Sequence, residues 1–249
     1  MRVRIIGAGN IGSALAEQAA AMNLEVEVAD TLPERAHALA QRLGLETTQT
    51  TAPLDEVDLL VEAAAQTAVA GPVITALRQG VDCMVLSTGA FLQADLLEQA
   101  RQAMEETGAK CHLPSGGIAG LDAVKTLALD EDATVTLTTR KPPTSLGLAA
   151  DKEGELFSGP ATEAVAKFPK NVNVAATLTL AGLAPHVRVL SDPSLERNTH
   201  EVHVKSRHVD VRVQVESEPS PTNPATSYVA VLSAQALLER LVSDFQVGT

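Results

Sequence analysis

The chain has no tryptophan, one tyrosine and four phenylalanines among its 249 residues. Aromatics make up 2% of the sequence while hydrophobic residues as a whole reach 45%, so the core has to be aliphatic, as in sheets covered on both faces. The two cysteines, Cys83 and Cys111, are too few for a disulfide framework at this length or for a structural zinc site. They read as reduced thiols. No apolar run approaches the roughly 20 residues that a membrane helix needs. Arg2 and Arg4 precede an apolar stretch, but Gly7, Gly9, Asn10 and Gly12 break it before a signal-peptide core forms, so a cytoplasmic location is expected. Positive charge is scarce too: 19 Lys and Arg stand against 31 Asp and Glu, a formal net charge of −12. Such a surface repels phosphate backbones and anionic lipid, and no basic block offsets it, which argues against nucleic-acid and membrane partners.

What is present is a rhythm. In the first half, short apolar runs alternate with segments of helical period, the pattern of repeated β-α units feeding a parallel sheet. Val3 to Ile6 reads as a strand, and Ile11, Leu15, Ala19 and Met22 then recur at helical spacing. Val26 and Val28 mark a second strand ending at Asp30. Thr31 and Glu34 have the spacing of a capping box around Pro33, and that helix should stop at Gly44. Further strands are expected at Leu59 to Val61, Val81 to Leu86 and Lys110 to Leu113, with helices over Thr67 to Gln79, kinked or shortened at Pro72, and over Gln93 to Glu106.

After Pro114 prolines punctuate shorter elements and the strands begin to read antiparallel. Thr134 to Thr138 alternates, with Val135 and Leu137 on one face. Val202 and Val204, a turn near Ser206 and Arg207, and Val209, Val211, Val213 and Val215 predict a hairpin buried on one face. Ala225 to Val242 reads as an amphipathic helix.

Gly7-Ala8-Gly9-Asn10-Ile11-Gly12 lies between a predicted strand and a predicted helix, the context that a dinucleotide-binding turn requires. Gly7 permits the tight turn, Gly9 lets backbone approach a pyrophosphate, and Gly12 lets the helix pack close to the strand. The helix N-terminus adds N–H groups and partial positive charge. Asp30, at the end of the second strand, has the position to bind both adenosine ribose hydroxyls and to repel a 2′-phosphate, which favours NAD over NADP. The alternative is a solvated aspartate before a turn, and nearby Arg35 leaves NADP open. The expected fold class is α/β. Residues 1–113 form a Rossmann dinucleotide-binding domain, 114–224 a substrate-binding and catalytic α+β domain with a mixed or antiparallel sheet, and 225–249 a C-terminal helix expected to pack back on the first domain.

Hydride transfer to or from an amine or alcohol carbon needs a group that manages a proton near neutral pH, and histidine is the default candidate. Of six, His37 sits on a surface-type helix, and His112 and His186 lie within or beside apolar strands; all three read as structural. Parity separates the remainder, because side chains alternate along a strand. His200 shares the face of Val202 and Val204 and looks inward, His203 faces the other way with Glu201 and Lys205, and His208 sits at the turn. Those rings do not converge on a metal, and none is expected. On spacing alone His200 is either catalytic or a satisfied inward histidine.

Other polar residues fall where loops should border a cleft. Ser87-Thr88-Gly89 follows a strand at its carboxyl end, and Ser115-Gly116-Gly117 offers close backbone approach or a plain turn. Arg140 and Lys141, and Lys170 beside Asn171 and Asn173, are candidates for holding a carboxylate, or solvated cations.

Together these residues resemble the L-aspartate dehydrogenase family. The matching segments are Gly7 to Gly12, Val61 to Ala65, Ser87 to Phe91, Pro114 to Asp122, Lys141-Pro142-Pro143 with Ser145 to Leu148, Phe168 to Ala175, Asp192-Pro193, Asn198-Thr199-His200 and Pro219 to Ser227. They run in order through nearly the whole chain, whereas a bare dinucleotide fold would share only the first. The resemblance implies NAD- or NADP-linked oxidation of L-aspartate to iminoaspartate, which hydrolyses to oxaloacetate and ammonia or feeds NAD biosynthesis; the reaction is reversible. It makes His200, in the Asn-x-His motif, the acid/base. It carries cofactor contacts to Asn10, Ile11, Asp30, Ala64, Ala65, Leu86, Ser87 and Asn173. At Gly117, where a nicotinamide contact is expected, the family usually has alanine.

The mechanism expected from this has the first domain hold the nicotinamide over the substrate Cα. Lys141, Lys170, Asn171 and Asn198 of the second domain are the expected substrate contacts, and an exposed face on its sheet would suit a homodimer. Two other readings keep the fold: a homoserine dehydrogenase or dihydrodipicolinate reductase relative, which would not obviously require Asn198-Thr199-His200, and a sensor that binds NAD without turnover.

Overall fold

The chain divides into two units in a computed structural model that describes residues 1–168, 172–220 and 223–248. One comprises Met1–Pro114 with Ala234–Asp244, the other Ser115–Ser233 with the residues from Phe245. The first is built from β-α repeats: β1 (Arg2–Ile6), α1 (Asn10–Ala21), β2 (Glu25–Ala29), α2 (Pro33–Leu43), β3 (Glu46–Thr47), β4 (Leu59–Glu62), α3 (Gln66–Ala68), α4 (Ile74–Arg78), β5 (Asp82–Val85), α5 (Ala94–Thr107) and β6 (Cys111–His112). Its sheet has the order β3-β2-β1-β4-β5-β6 with every pair parallel. That is the strand order of a Rossmann fold, in which the chain reverses direction of winding beside β1.

The strands are aliphatic because both faces are covered. Val3, Ile5, Val28 and Val61 pack with Leu15, Leu39 and Met84 in one buried cluster. Helix α1 contributes Gly12, Leu15, Ala16 and Ala19, one stripe at helical spacing. Residues 66–78 form the expected helix with a π-helical turn at Val69–Val73 that takes in Pro72, whose missing N–H cannot join a regular α ladder. Gly44 ends α2 in the left-handed conformation, φ 69°.

The capping box expected at Thr31 and Glu34 does not form. Leu32 is the N-cap of α2, with no side-chain capping bond. Asp30 Oδ1 instead accepts the Leu32 N–H at 2.9 Å and the Thr31 hydroxyl at 3.4 Å, so a carboxylate takes the donors that the threonine was expected to organise.

The second unit contains α6 (Leu121–Leu127), β7 (Thr134–Lys141), β8 (Gly154–Pro160), α7 (Ala161–Lys167), α8 (Val172–Leu180), β9 (His186–Ser191), β10 (Asn198–Lys205), β11 (Asp210–Ser217), β12 (Pro219–Ser220) and β13 (Asn223–Ser227). Five strands make a mixed sheet of order β11-β10-β7-β9-β8, parallel at β7–β9 and antiparallel elsewhere. Its buried side, with Val135, Leu137, Val187, Val189, Val202 and Val204, packs on Val124, Leu127 and Leu178. The hairpin valines are less covered than their pattern predicts: Val211, Val213 and Val215 are half-buried and Val209 is exposed. Strand β11 is an edge strand, so one flank of its valine row has no paired strand among the described residues.

The last helix, α9, spans Tyr228–Val242 and so starts later than its hydrophobic pattern suggests, because Asn223–Ser227 pairs with β12 as a strand. Its Ala234 and Leu238 are fully buried in the core of the first unit. Replacing Leu238 with alanine should cost the first unit about 2–5 kcal/mol, read as a lowered urea midpoint.

Candidate active site

At the carboxyl edge of the parallel sheet, the ends of β2, β1, β4 and β5 lie side by side, and Gly7 to Gly12, Asp30, Ala64, Ala65, Leu86 and Ser87 all sit there. Two of the glycines are demanded by space. Gly7 has φ +105°, and a Cβ on it would lie 2.5 Å from the Ala63 carbonyl oxygen. A Cβ on Gly12 would lie 1.8 Å from the Gly7 carbonyl oxygen, so α1 approaches β1 more closely than any side chain allows. Gly9 differs: it is the N-cap of α1 and a Cβ there would meet nothing within 4 Å. The crest of the turn is therefore open on the side where a diphosphate would meet the helix N-terminus, and the residues present fit a dinucleotide. Asp30 is fixed beside that turn, its Oδ2 accepting the Ala8 N–H at 2.7 Å.

Glu62, which sequence reasoning treated only as part of a motif, is fully buried at the end of β4. Its Oε1 accepts the Ala64 N–H and the Ser87 hydroxyl, each at 2.9 Å, and its Oε2 accepts the Ser87 N–H at 2.9 Å. Burial pushes its carboxyl pKa up, and those hydrogen bonds pull against the rise.

In the second unit the inward positions change character at one end of four neighbouring strands. Along β7 they read Val135, Leu137, Thr139, Lys141; along β9, Val187, Val189, Ser191; along β10 from its far end, Val204, Val202, His200, Asn198; along β11, Val211, Val213, Val215, Ser217. The register aligns these rows: Leu137 pairs with Val202, Thr139 with His200, Lys141 with Ser191 and Asn198 with Ser217. One end of the face is thus aliphatic core, and the other is a polar patch carrying three hydroxyls, an ammonium, an imidazole and an amide.

His200 is 9% exposed, and its Nδ1 lies 2.9 Å from Thr139 Oγ1. Thr139 was not among the expected site residues: its pairing partner is 61 positions away, and only strand register reveals it. The imidazole pKa is lowered to about 4, first by burial and then by the positive charge of Lys141, so the ring is neutral at ordinary pH. Burial likewise lowers the Lys141 pKa. Asn198 Oδ1 is buried and has no hydrogen-bond partner among the described residues. Gly117 lies against the ring: a Cβ there would stand 3.9 Å from both His200 Cδ2 and Nε2 and 3.6 Å from Val174 Cγ2. These are ordinary contacts, so an alanine would fit, and glycine leaves a methyl-sized space beside Nε2. Asn173, next to Val174 on α8, is exposed.

The remaining candidates separate. Lys170 and Asn171 lie outside the described residues. Arg140 is exposed on the opposite face of β7 from Lys141, which removes it from the polar patch. His37 bonds the Pro33 carbonyl, His186 bonds Ser158, and His203 Nε2 meets Asp210 Oδ1 at 2.9 Å. Cys83 and Cys111 are register partners on β5 and β6, and burial pushes both thiols up, Cys111 to about 12; neither is a nucleophile near neutral pH.

The lowered His200 pKa has a stability consequence. Above its ordinary value of about 6.5 the ring is neutral folded and unfolded; between there and about 4 the unfolded chain gains a proton that the native state refuses. Stability should therefore fall as pH falls through that window. The loss of urea stability between about pH 7 and about pH 4.5 should be smaller in His200→Asn than in the parent; equal losses would show that the buried ring does not drive it.

Two family models match the chain in succession. Residues 7–114 match the family model described as homoserine dehydrogenase, NAD binding domain, and residues 122–241 that described as aspartate dehydrogenase, C-terminal. L-aspartate dehydrogenase of Methanosarcina barkeri is 43% identical over 211 residues, covering 79% of this chain and 78% of that one. That of Methanosarcina mazei is 38% identical over 275 aligned positions and covers both chains completely. A crystal structure of aspartate dehydrogenase from Thermotoga maritima superposes with a TM-score of 0.81 at 29% identity, covering 100% of this chain and 99% of that one. Identity of this degree along the full length of both sequences places the chain in the L-aspartate dehydrogenase family.

Proposed function

We propose that the protein is an NAD-dependent L-aspartate dehydrogenase that oxidises L-aspartate to iminoaspartate, which water converts to oxaloacetate and ammonia, and that the reaction runs in either direction. The observation that carries this reading is the full-length relation to L-aspartate dehydrogenases, because the aspartate dehydrogenase C-terminal model matches the very segment that holds His200. NAD, when bound, supplies the hydride acceptor. Gly7, Gly9 and Gly12 with the first turn of α1, at Asn10 and Ile11, hold the diphosphate. Asp30 takes the adenosine ribose, and its charge disfavours a 2′-phosphate, with NADP as the lesser cofactor. Ala64, Ala65, Leu86, Ser87, Gly117 and Asn173 are the further cofactor contacts.

His200 is the acid/base. Its neutral ring accepts a proton at Nε2, from the substrate ammonium or from the water that adds to the imine, and returns one in the reverse direction. Support for this comes from its burial, from the Thr139 bond that occupies Nδ1, and from the gap at Gly117 beside Nε2. Lys141 pairs with a substrate carboxylate, and Asn198 supplies an amide to the same ligand. Lys170 and Asn171 are assigned to the substrate on sequence alone. The protein works in the cytoplasm as a homodimer, its iminoaspartate available to NAD biosynthesis; no described helix is long and apolar enough to cross a membrane.

With L-aspartate and NAD at alkaline pH, absorbance of the reduced cofactor should rise. Binding without turnover in either direction would instead mark a sensor, and a preference for an uncharged substrate side chain would move the protein to another dehydrogenase class. His200→Ala should retain cofactor affinity and lose about 100-fold or more in kcat, the usual contribution of a positioned acid/base; an unchanged rate would remove the ring from the chemistry. Asp30→Ser should shift the NAD-to-NADP preference toward NADP, and an unaltered ratio would contradict the ribose contact.

A further inference from the structure

Glu62 poses a question that the dehydrogenase chemistry does not use. It is fully buried at the end of a central strand of the parallel sheet, with Ile6 of β1 and Val85 of β5 as its register neighbours. For strand packing alone an aliphatic residue would serve there, without the desolvation that a carboxylate suffers. What the carboxylate does is tie two loops together. It accepts the Ala64 N–H from the loop after β4, and both the N–H and the hydroxyl of Ser87 from the loop after β5.

The strand order says what lies over those loops. Strands β2, β1, β4 and β5 stand side by side. A dinucleotide that lays its adenosine ribose at Asp30 on β2 and its diphosphate at the turn after β1 continues in the same direction, toward the ends of β4 and β5. The nicotinamide nucleoside would therefore fall where Glu62 fixes the backbone, and the adenosine half on the side of Asp30.

We propose that Glu62 is a positioning residue for the nicotinamide half of NAD: it clamps the Ala64 and Ser87 loops into one rigid floor, without itself touching the cofactor. The inference rests on the nucleotide-binding reading of the first unit and adds a division of labour within it, Asp30 serving one half of the ligand and Glu62 the other.

Titration calorimetry of the full-length protein with NAD and with ADP tests both. Glu62→Gln keeps the shape but turns an amide N–H₂ toward a buried N–H or O–H donor. NAD affinity should weaken about tenfold or more, because loops no longer held in place must be ordered as the cofactor binds, while ADP affinity stays the same. A role in stability alone would leave both affinities unchanged in the folded variant or weaken both alike, and either result overturns the proposal. Should Glu62→Gln fail to fold, Glu62→Asp, which keeps the charge but is too short to reach both loops, decides by the same comparison. If the parent protein binds neither NAD nor ADP, the nucleotide-binding reading itself fails, a result separate from the response of Glu62.

Discussion

The bond between Thr139 Oγ1 and His200 Nδ1 depends on a pairing that neither residue controls. They are register partners on β7 and β10, and the register is held by the rows beyond them, Leu137 against Val202 and Val135 against Val204. A slip of β10 by one residue would turn Val202 and Val204 to the outer face and His200 with them. The aliphatic core thus does two things with one arrangement: it drives the sheet onto its helices, and it holds the imidazole at a fixed place in the polar patch. Nothing local to His200 could do this. Its own strand gives it a face, and the neighbouring strand gives it a partner.

The first unit reaches the same end by another route. In a parallel sheet covered on both faces most strand positions are aliphatic core, and ligands are met where the strands stop. The closeness of Gly12 to the Gly7 carbonyl draws α1 down onto β1, and the N-terminus of that helix then stands at the edge. The Asp30 bond to the Ala8 N–H and the Glu62 bonds to Ala64 and Ser87 fasten the flanking loops. The loops after β1, β4 and β5 are thus each held by a carboxylate, Asp30 or Glu62.

These two mechanisms explain what could be read in advance. The glycine turn was legible because its requirements are local: spacing, a strand before it, a helix after it. The inward direction of His200 was legible from parity along one strand. Thr139 was not, because pairing between strands far apart in sequence leaves no mark in either one. Glu62 was hidden for a different reason: a charged residue at the end of an apolar run looks like the place where a strand meets water, and only the fold shows that it stays inside. The failed capping box at Thr31 is the converse error. The local spacing was right, but Asp30, held against the glycine turn, offered the nearby donors a stronger acceptor.

The choice of threonine as the partner of His200 has its own logic. A carboxylate at Nδ1 would stabilise the imidazolium and raise the pKa of the ring, whereas a hydroxyl orients it without adding charge. The ring is then left with two influences, burial and the nearby ammonium of Lys141, and both favour the neutral form. Of these the second is the one whose charge a ligand could offset. A carboxylate that pairs with Lys141 cancels its repulsion of a proton on His200, so an acidic ligand in the patch raises the basicity of the imidazole beside it. On the proposed function, the pairing that would hold such a ligand would also favour a proton on the ring beside it, and the neutral partner at Nδ1 adds no charge of its own to that balance.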